Sequence, residues 1–325
     1  MIPCYGVRDQ VLGVLERIGP ECGLVYVIDD ACPQHTGDHV EAHCSDARVR
    51  VLRHERNQGV GAATLTGYRA ALSASADIIV KLDGDGQADA ALIPQLVRPI
   101  IEHRSDYAKG NRFFRLEGLK SMPKLRLLGN AALSFCAKVS SGYWNLLDPN
   151  NGFTAIHAQV AQAIPFTKLA PGYFFESDLL FRLGTLRAVV CDLPMSARYA
   201  GEPSGLRPLR VAPRFVWGHV VSSFKRVAYS YFIRDFNPAS LQLLTGIPLL
   251  GFGVSFGIEK WIEAEQSGVP ASSGTVMLAA LPVILGVQLL SAFLAFDMRN
   301  VPREPLHPRM SPVSADAAAT GARSP

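Results

Sequence analysis

Two stretches near the C-terminal end constrain this chain more than any other feature. Residues 238-PASLQLLTGIPLLGFGVSFGI-258 and 275-TVMLAALPVILGVQLLSAFLAF-296 contain no Asp, Glu, Lys or Arg. As helices, each is long enough to cross a hydrocarbon layer of roughly 30 Å. A helix in a soluble core would carry a polar stripe, and neither run does. Both are read as transmembrane helices within a region spanning 237–300. The segment between them, 259-EKWIEAEQSGVPASSG-274, holds three glutamates and one lysine. Lys225, Arg226 and Arg234 precede the first span, and Arg299, Arg303 and Arg309 follow the second. The positive-inside rule therefore predicts an integral protein of the cell inner membrane, with the preceding domain and both termini cytoplasmic and a short external loop. The first span has the character of an uncleaved insertion signal. Gly253 and Gly257 form a GxxxG; close packing between the two spans is favoured over a helix-dimer face, which leaves a homo-oligomer possible.

Before the spans, 213-PRFVWGHVVSSFKRVAYSYFIRD-235 mixes aromatics with basic residues, and 198–235 carries seven Lys/Arg against two acids. We read 206–236 as an amphipathic segment lying against membrane lipids, in preference to a helix capping the soluble domain. The last stretch, 301–325, is rich in Pro, Ala and Ser with little to bury, and is expected to be a disordered cytoplasmic tail. The net charge of +4 is too weak to argue for nucleic acid. Six scattered cysteines with no CxxC, and no secretory signal at 1-MIPCYGVRDQ, fit reduced thiols in a cytosol-facing domain. In 32-CPQHTGDHVEAHC-44, a helix from about Asp38 would put His39 and His43 on one face near Cys32, His35 and Cys44, residue types that zinc accepts. The spacing matches no usual zinc pattern, so a solvated helix face is the preferred reading.

Residues 1–205 alternate strand-like runs (24–29, 50–53, 77–83, 187–193) with helical stretches at about 8–18, 59–74 and 90–103. That alternation predicts an α/β domain with a parallel sheet, whose ligands sit beyond the carboxyl ends of the strands. The polar groups fall at those ends. Asp29 and Asp30 close one strand; helix capping accounts for one of them but hardly both. In 77-DIIVKLDGDGQAD-89 an apolar run stops at Asp83, and Asp85 follows two residues later with glycines at 84 and 86. A turn needs only one Asp-Gly. Two carboxylates cleared by glycines point to a hard divalent cation that carries phosphates. The run 57-NQGVGAATLTGYRAA-71 offers a glycine-rich start to a helix whose free N–H groups favour anions, although it is neither a Walker A loop nor a GxGxxG signature.

The ordered succession 2-IPCYG-6, 27-VIDDACPQHTGD-38, 56-RNQGVGAA-63, 82-LDGDGQAD-89, 109-KGNRF-113, 148-DPNNGF-153 and 198-RYAGEPSG-205, followed by paired spans, resembles the family-2 glycosyltransferases of the GT-A fold. Within them it is similar to the membrane-bound polyprenol-phosphate glycosyltransferases of the dolichol-phosphate mannose synthase type. The resemblance covers nearly the whole ordered chain and implies a Rossmann-like nucleotide-diphospho-sugar transferase domain. It implies that Pro3 and Tyr5 line the base pocket and that Asp29 and Asp30 bond base and ribose. Asp83 and Asp85 occupy the DxD positions that hold Mg²⁺ or Mn²⁺, with Asp83 reaching ribose or metal, Asp85 the metal, and Gln87 beside them. Arg112 and Arg198 resemble phosphate-holding arginines, and Ser204 falls near the family's R-x-x-G-x-S segment. The chain departs from the pattern at Gly6-Val7, where the family has Asn-Glu. It departs again at Gly205, in place of a lysine for which Arg207 would substitute. The family also has more of its first strand, which implies a natural start upstream of Met1.

Such a chain is expected to pass a sugar from a nucleotide-sugar donor to a polyprenyl phosphate, with inversion. A lipid phosphate is already an anion and needs cations to hold it. A hydroxyl acceptor on a lipid-linked or surface glycan would need a general base, for which Asp148, Glu176 and Asp178 (in 174-FFESDLL-180) are the candidates; the plainer reading of Glu176 and Asp178 is favourable acids at a helix N-terminus. A non-catalytic nucleotide-binding membrane scaffold is the remaining alternative.

Overall fold

The computed structural model describes residues 1–114, 124–195 and 208–310. The chain divides into two compact units, 1–223 with 302–325, and 224–301. The first unit is built on strands β1 (Ile2–Cys4), β2 (Val25–Asp29), β3 (Val49–Arg53), β4 (Ile78–Lys81), β5 (Tyr107–Asn111), β6 (Thr154–His157) and β7 (Val190–Pro194). Its helices are α1 (Arg8–Leu15), α2 (Thr36–His43), α3 (Val60–Ser73), α4 (Ile93–Ile101), α5 (Lys124–Ser141), α6 (Ala158–Ala163), α7 (Phe175–Leu186) and α8 (Pro208–Ala228). Helix α8 continues past the boundary into the second unit.

Strands β1, β2 and β3 pair in parallel in that order, and a second group runs β4-β6-β5-β7. The Met1 ammonium donates to the Val80 carbonyl (2.7 Å) and the Leu82 amide donates to the Met1 carbonyl (3.1 Å), which joins the two groups through β1 and β4. The sheet is not all parallel as the alternation predicted, because β6 is antiparallel to both β4 and β5. The loop before β6 lies at the carboxyl ends of its neighbours, so the strand starts where they finish: Thr154 is opposite Lys81 and Lys109. Val11, Val27, Val40 and Leu96 are fully enclosed and Phe153 nearly so, filling the layer between helices and sheet. Each such side chain contributes about 1.5–3 kcal/mol relative to exposure.

The second unit contains α9 (Pro238–Ser267) and α10 (Ser273–Arg299), both long and apolar enough to cross a membrane. Only 11% and 6% of their most apolar windows are buried by protein, so these are not core helices. Helix α9 opens with a capping box at Asn237 and continues to Ser267, where Gly268 (φ +67°) ends it. The expected loop 259–274 is therefore largely helical, since 259-EKWIEAEQS-267 keeps good helix formers past the apolar run. A Cβ at Gly253 would meet the Ala279 carbonyl oxygen at 2.8 Å, and one at Gly286 the Leu250 nitrogen at 2.7 Å. These glycines bring α9 and α10 together backbone to backbone within one chain, the favoured reading of the GxxxG. At the end of α10, Asp297 is buried and accepts both Arg226 guanidinium nitrogens (2.6 and 3.0 Å) and the Tyr231 hydroxyl (2.6 Å).

The expectation of a disordered 301–325 is corrected in its first part. Leu306 and His307 dock on the first unit through Asp106, and a turn of 3₁₀ helix forms at His307–Arg309. Residues 311–325 lie outside the described set.

Candidate active site

The site is organised at the carboxyl end of β4. Lys81, the last residue of that strand, is 1% exposed, and its ammonium donates to Asp83 Oδ1 (2.8 Å) and to Glu176 Oε1 in the first turn of α7 (3.0 Å). Burial opposes the charge on Lys81, yet the two carboxylates more than offset it and raise its pKa above the ordinary value. The Asp83 side chain remains 40% exposed. Its other oxygen, Oδ2, lies against Gly152, where an added Cβ would sit at 1.8 Å. Gly84 is buried against Cys4, Val7 and Ile2, so the backbone between the two acids presses on β1 without a side chain between. Asp85 accepts the Gln87 amide (3.0 Å), a turn that keeps both acids at the strand tip.

The loop 148–153 lies beside this tip. Asp148 is 2% exposed, takes a left-handed backbone (φ +51°), and accepts Arg112 Nε and Nη2 at 2.7 Å each in a fork. Burial pushes its pKa up, but Arg112, with Lys109 behind it, holds it below the ordinary carboxylate value. Ser177 in α7 donates to Asn150 (3.0 Å), which ties the helix to the same loop. Asp178 accepts the Ala170 amide (2.9 Å) and pairs with Arg182 one turn later, as expected of an acid near a helix N-terminus. Sequence reasoning missed the two buried lysines. Lys109, on β5, is 1% exposed, donates to the Asp148 carbonyl (2.9 Å) and pairs with Asp192 (3.0 Å). For Lys81 the available signal was a lysine within an otherwise apolar strand-like run; Lys109 had none, since no strand is predicted around it.

At the end of β2 both acids have structural work. Asp29 accepts the Cys32 and Gly37 amides (2.7 and 2.6 Å). Asp30 accepts the Gln58 and Gly59 amides (2.9 and 2.8 Å) and bonds His54 (2.7 Å). The expectation that capping could occupy only one of them is corrected: backbone amides occupy both carboxylates. The glycine-rich start of α3 is also not an open anion cradle. Its Ala62 amide donates to the Pro171 carbonyl (3.0 Å), and a Cβ at Gly61 would strike the Ala170 carbonyl at 2.5 Å. The glycines here serve close backbone packing. Pro3 is buried within β1, and Tyr5, just beyond it, is 54% exposed. Arg198, Ser204 and Arg207 lie outside the described residues. In α2, His39 and His43 lie side by side, tilted at 43° with ring centroids 4.4 Å apart, whereas Cys32 turns inward to Thr36 and the Gly6 amide. Among the described residues no three His, Cys, Asp or Glu side chains are grouped to hold a metal by themselves.

The arrangement is a strand-end carboxylate pair, open on one side, beside a loop and helix whose own charges are already paired. Comparisons with known proteins give the family and the fold. The sequence profile described as glycosyl transferase family 2 matches residues 2–164. The chain is 30% identical over 152 residues to the UDP-N-acetylglucosamine–dolichyl-phosphate N-acetylglucosaminyltransferase of Methanococcus voltae, a match covering 47% of this chain and 60% of that protein. It is 30% identical over 203 residues to the undecaprenyl-phosphate mannosyltransferase of Micrococcus luteus, covering 60% and 81% respectively. Among solved structures, the mannosyl-3-phosphoglycerate synthase of Rubrobacter xylanophilus superimposes with a TM-score of 0.50 at 18% identity, over 73% of this chain and 75% of that one.

Proposed function

The chain belongs to glycosyl transferase family 2, a glycosyltransferase of the GT-A fold, and on that premise we propose that it transfers a sugar from a nucleotide-diphosphate donor to a polyprenyl phosphate, with inversion. The names of the relatives from Methanococcus voltae and Micrococcus luteus, both polyprenol-phosphate transferases, support this class of acceptor. The observation that carries it is that the three acids a hydroxyl acceptor would use as base are engaged. Asp148 is forked to Arg112, Glu176 is paired with Lys81, and Asp178 holds the Ala170 amide. A phosphate oxygen needs no proton removed before it attacks the anomeric carbon from the face opposite the departing diphosphate.

Asp83 and Asp85 fit a hard divalent ion. They offer oxygen donors two residues apart, with glycines at 84 and 152 leaving backbone rather than side chain around them. When bound there, Mg²⁺ or Mn²⁺ supplies charge neutralisation for the leaving diphosphate. Pro3 and Tyr5 flank the nucleotide base, while Asp29 and Asp30 shape the loops beneath it. Arg112, fixed by Asp148, presents a guanidinium to phosphate; Gln87, Arg198, Ser204 and Arg207 complete the anion-binding set. Helix α8 directs Val216, Trp217, Val220 and Phe224 outward, an exposed apolar stripe at helical spacing, while Arg214 and Lys225 are exposed too. That face suits the surface of an anionic membrane. With both spans and the positive flanks, the catalytic unit lies on the cytoplasmic side.

The test is transfer of labelled sugar from UDP-, GDP- and dTDP-donors by the full chain in lipid nanodiscs, offered undecaprenyl phosphate or a glycan hydroxyl. Label is expected in the lipid phosphate, dependent on Mg²⁺ or Mn²⁺ and lost in Asp85→Ala. Label found only on the hydroxyl acceptor would refute the reading.

A further inference from the structure

We propose that Lys81 is a positioning residue that fixes the orientation of Asp83 for the divalent ion, an inference that rests on the reading of Asp83 and Asp85 given above. Three observations lead to it. Lys81 ends an otherwise apolar strand, 78-IIVK-81, and is 1% exposed, where an apolar residue would cost less to bury. Its ammonium reaches Asp83 Oδ1 at 2.8 Å and Glu176 Oε1 at 3.0 Å, bridging residues 93 positions apart. The remaining oxygen of Asp83 rests on the backbone at Gly152, in the loop that Ser177, next to Glu176, grips through Asn150. Asp83 is thus held on one oxygen by a cation and bounded at the other by a bare backbone. One rotamer is selected before any ligand arrives. The bridge also connects the donor-side carboxylate to α7 through one buried ion, so displacement of α7 would be felt at Asp83.

A purely structural ion pair makes a different prediction. Lys81→Met removes a positive charge next to the ion's position, and electrostatics alone would tighten cation binding. Loss of positioning weakens it. The two effects have opposite signs. Because Lys81→Met leaves Glu176 buried without its partner and could unfold the chain, the decisive variant is Lys81→Met combined with Glu176→Gln. One positive and one negative charge are removed together, so the local net charge is unchanged.

The measurement is Mn²⁺ affinity in the presence of UDP, read by electron paramagnetic resonance on the full chain in detergent, with the melting midpoint recorded alongside. The double variant is expected to bind Mn²⁺ about ten-fold or more weakly than the parent, the usual size for loss of a residue that orients a ligand. Lys81→Arg should recover part of that loss, and UDP affinity without metal should stay the same. A folded double variant within two-fold of the parent, or tighter Mn²⁺ binding by Lys81→Met, would overturn the proposal. If the parent chain binds no Mn²⁺ with any of UDP, GDP and dTDP, or Asp85→Ala binds it equally well, the underlying reading of the acids falls and takes this inference with it.

Discussion

Gly152 occupies the place where any other residue would put a methyl group, 1.8 Å from Asp83 Oδ2. Its backbone is not in the left-handed region, so alanine is conformationally acceptable there. What must give way is the Asp83 carboxylate, whose side chain is 40% exposed, so the methyl pushes it toward solvent and off the place where Lys81 holds it. Gly152→Ala is therefore expected to leave the melting midpoint close to the parent's while lowering transfer activity by roughly 100-fold, the scale of a misplacement near 1 Å. Gly129→Ala is the control: it lies on an exposed face of α5 with nothing within 4 Å of an added Cβ, and should leave activity intact. Equal activity in the two variants would show that the position of Asp83 is not set by this contact. The acids of the DxD are legible in the sequence because they interrupt an apolar run. The glycine that accommodates one of them is not legible, since it is remote in sequence and belongs to a loop whose own purpose is to start β6.

Among the elements, β2, β3, β4 and β7 announce themselves by runs of Val, Ile and Leu, and the predicted boundaries of these four differ from the observed ones by a few residues at most. Strand β5, 107-YAKGN-111, does not, because its Lys109 and Asn111 satisfy partners in Asp148 and Asp192 rather than filling a greasy layer. The reversal of β6 has no local signature at all; it follows from where the preceding loop lies. Helix α8 inverts the usual pattern. Its inward face carries Gly218 with the buried His219 and Ser222, whereas Trp217 and Phe224 are 69% and 74% exposed. Gly218 packs on Phe174, and His219 bonds Ser140 in α5 (2.8 Å) with the Phe174 ring edge-on at 5.0 Å. Burial lowers the His219 pKa to about 4, from an ordinary 6.5. Above pH 6.5 both folded and unfolded chains keep this imidazole neutral, and it costs nothing. As pH falls from 6.5 toward 4 the unfolded chain takes up a proton that the folded one refuses, so stability declines by roughly 3 kcal/mol across that window. His219→Gln should remove this decline. Urea midpoints of the two proteins should run parallel above pH 6.5 and converge or cross below it; parallel curves down to pH 4 would mean that α8 opens enough to solvate the ring.

At the scale of the whole molecule, the chain leaves the first unit after Ser223 and rejoins it at Pro302. The segment that rejoins was read from composition as disordered. Its attachment uses backbone amides and a single histidine, which leave no compositional trace. Asp106, fully buried just before β5, accepts the amides of Val189, Leu306 and His307 and bonds His307 Nδ1 at 2.8 Å. His307 is itself 3% exposed, stacks on His157 with centroids 4.2 Å apart and bonds His103 at 2.8 Å. A chain ending at Val301 would leave the Asp106 carboxylate without its partners at Leu306 and His307. Breaking a buried charge network this way typically costs about 3–5 kcal/mol, or roughly 6–20 °C in the melting midpoint of a unit this size. The sign of Asp106→Asn separates this account from a general effect of shortening. In the full chain the substitution removes a charge that the returning segment satisfies, so it should destabilise. In the chain ending at Val301 it removes a buried charge left with the Val189 amide alone, so it should stabilise. Calorimetry on the four proteins measures both signs; Asp106→Asn acting in the same direction in the two backgrounds would mean that the segment beyond Pro302 is not what satisfies this buried carboxylate.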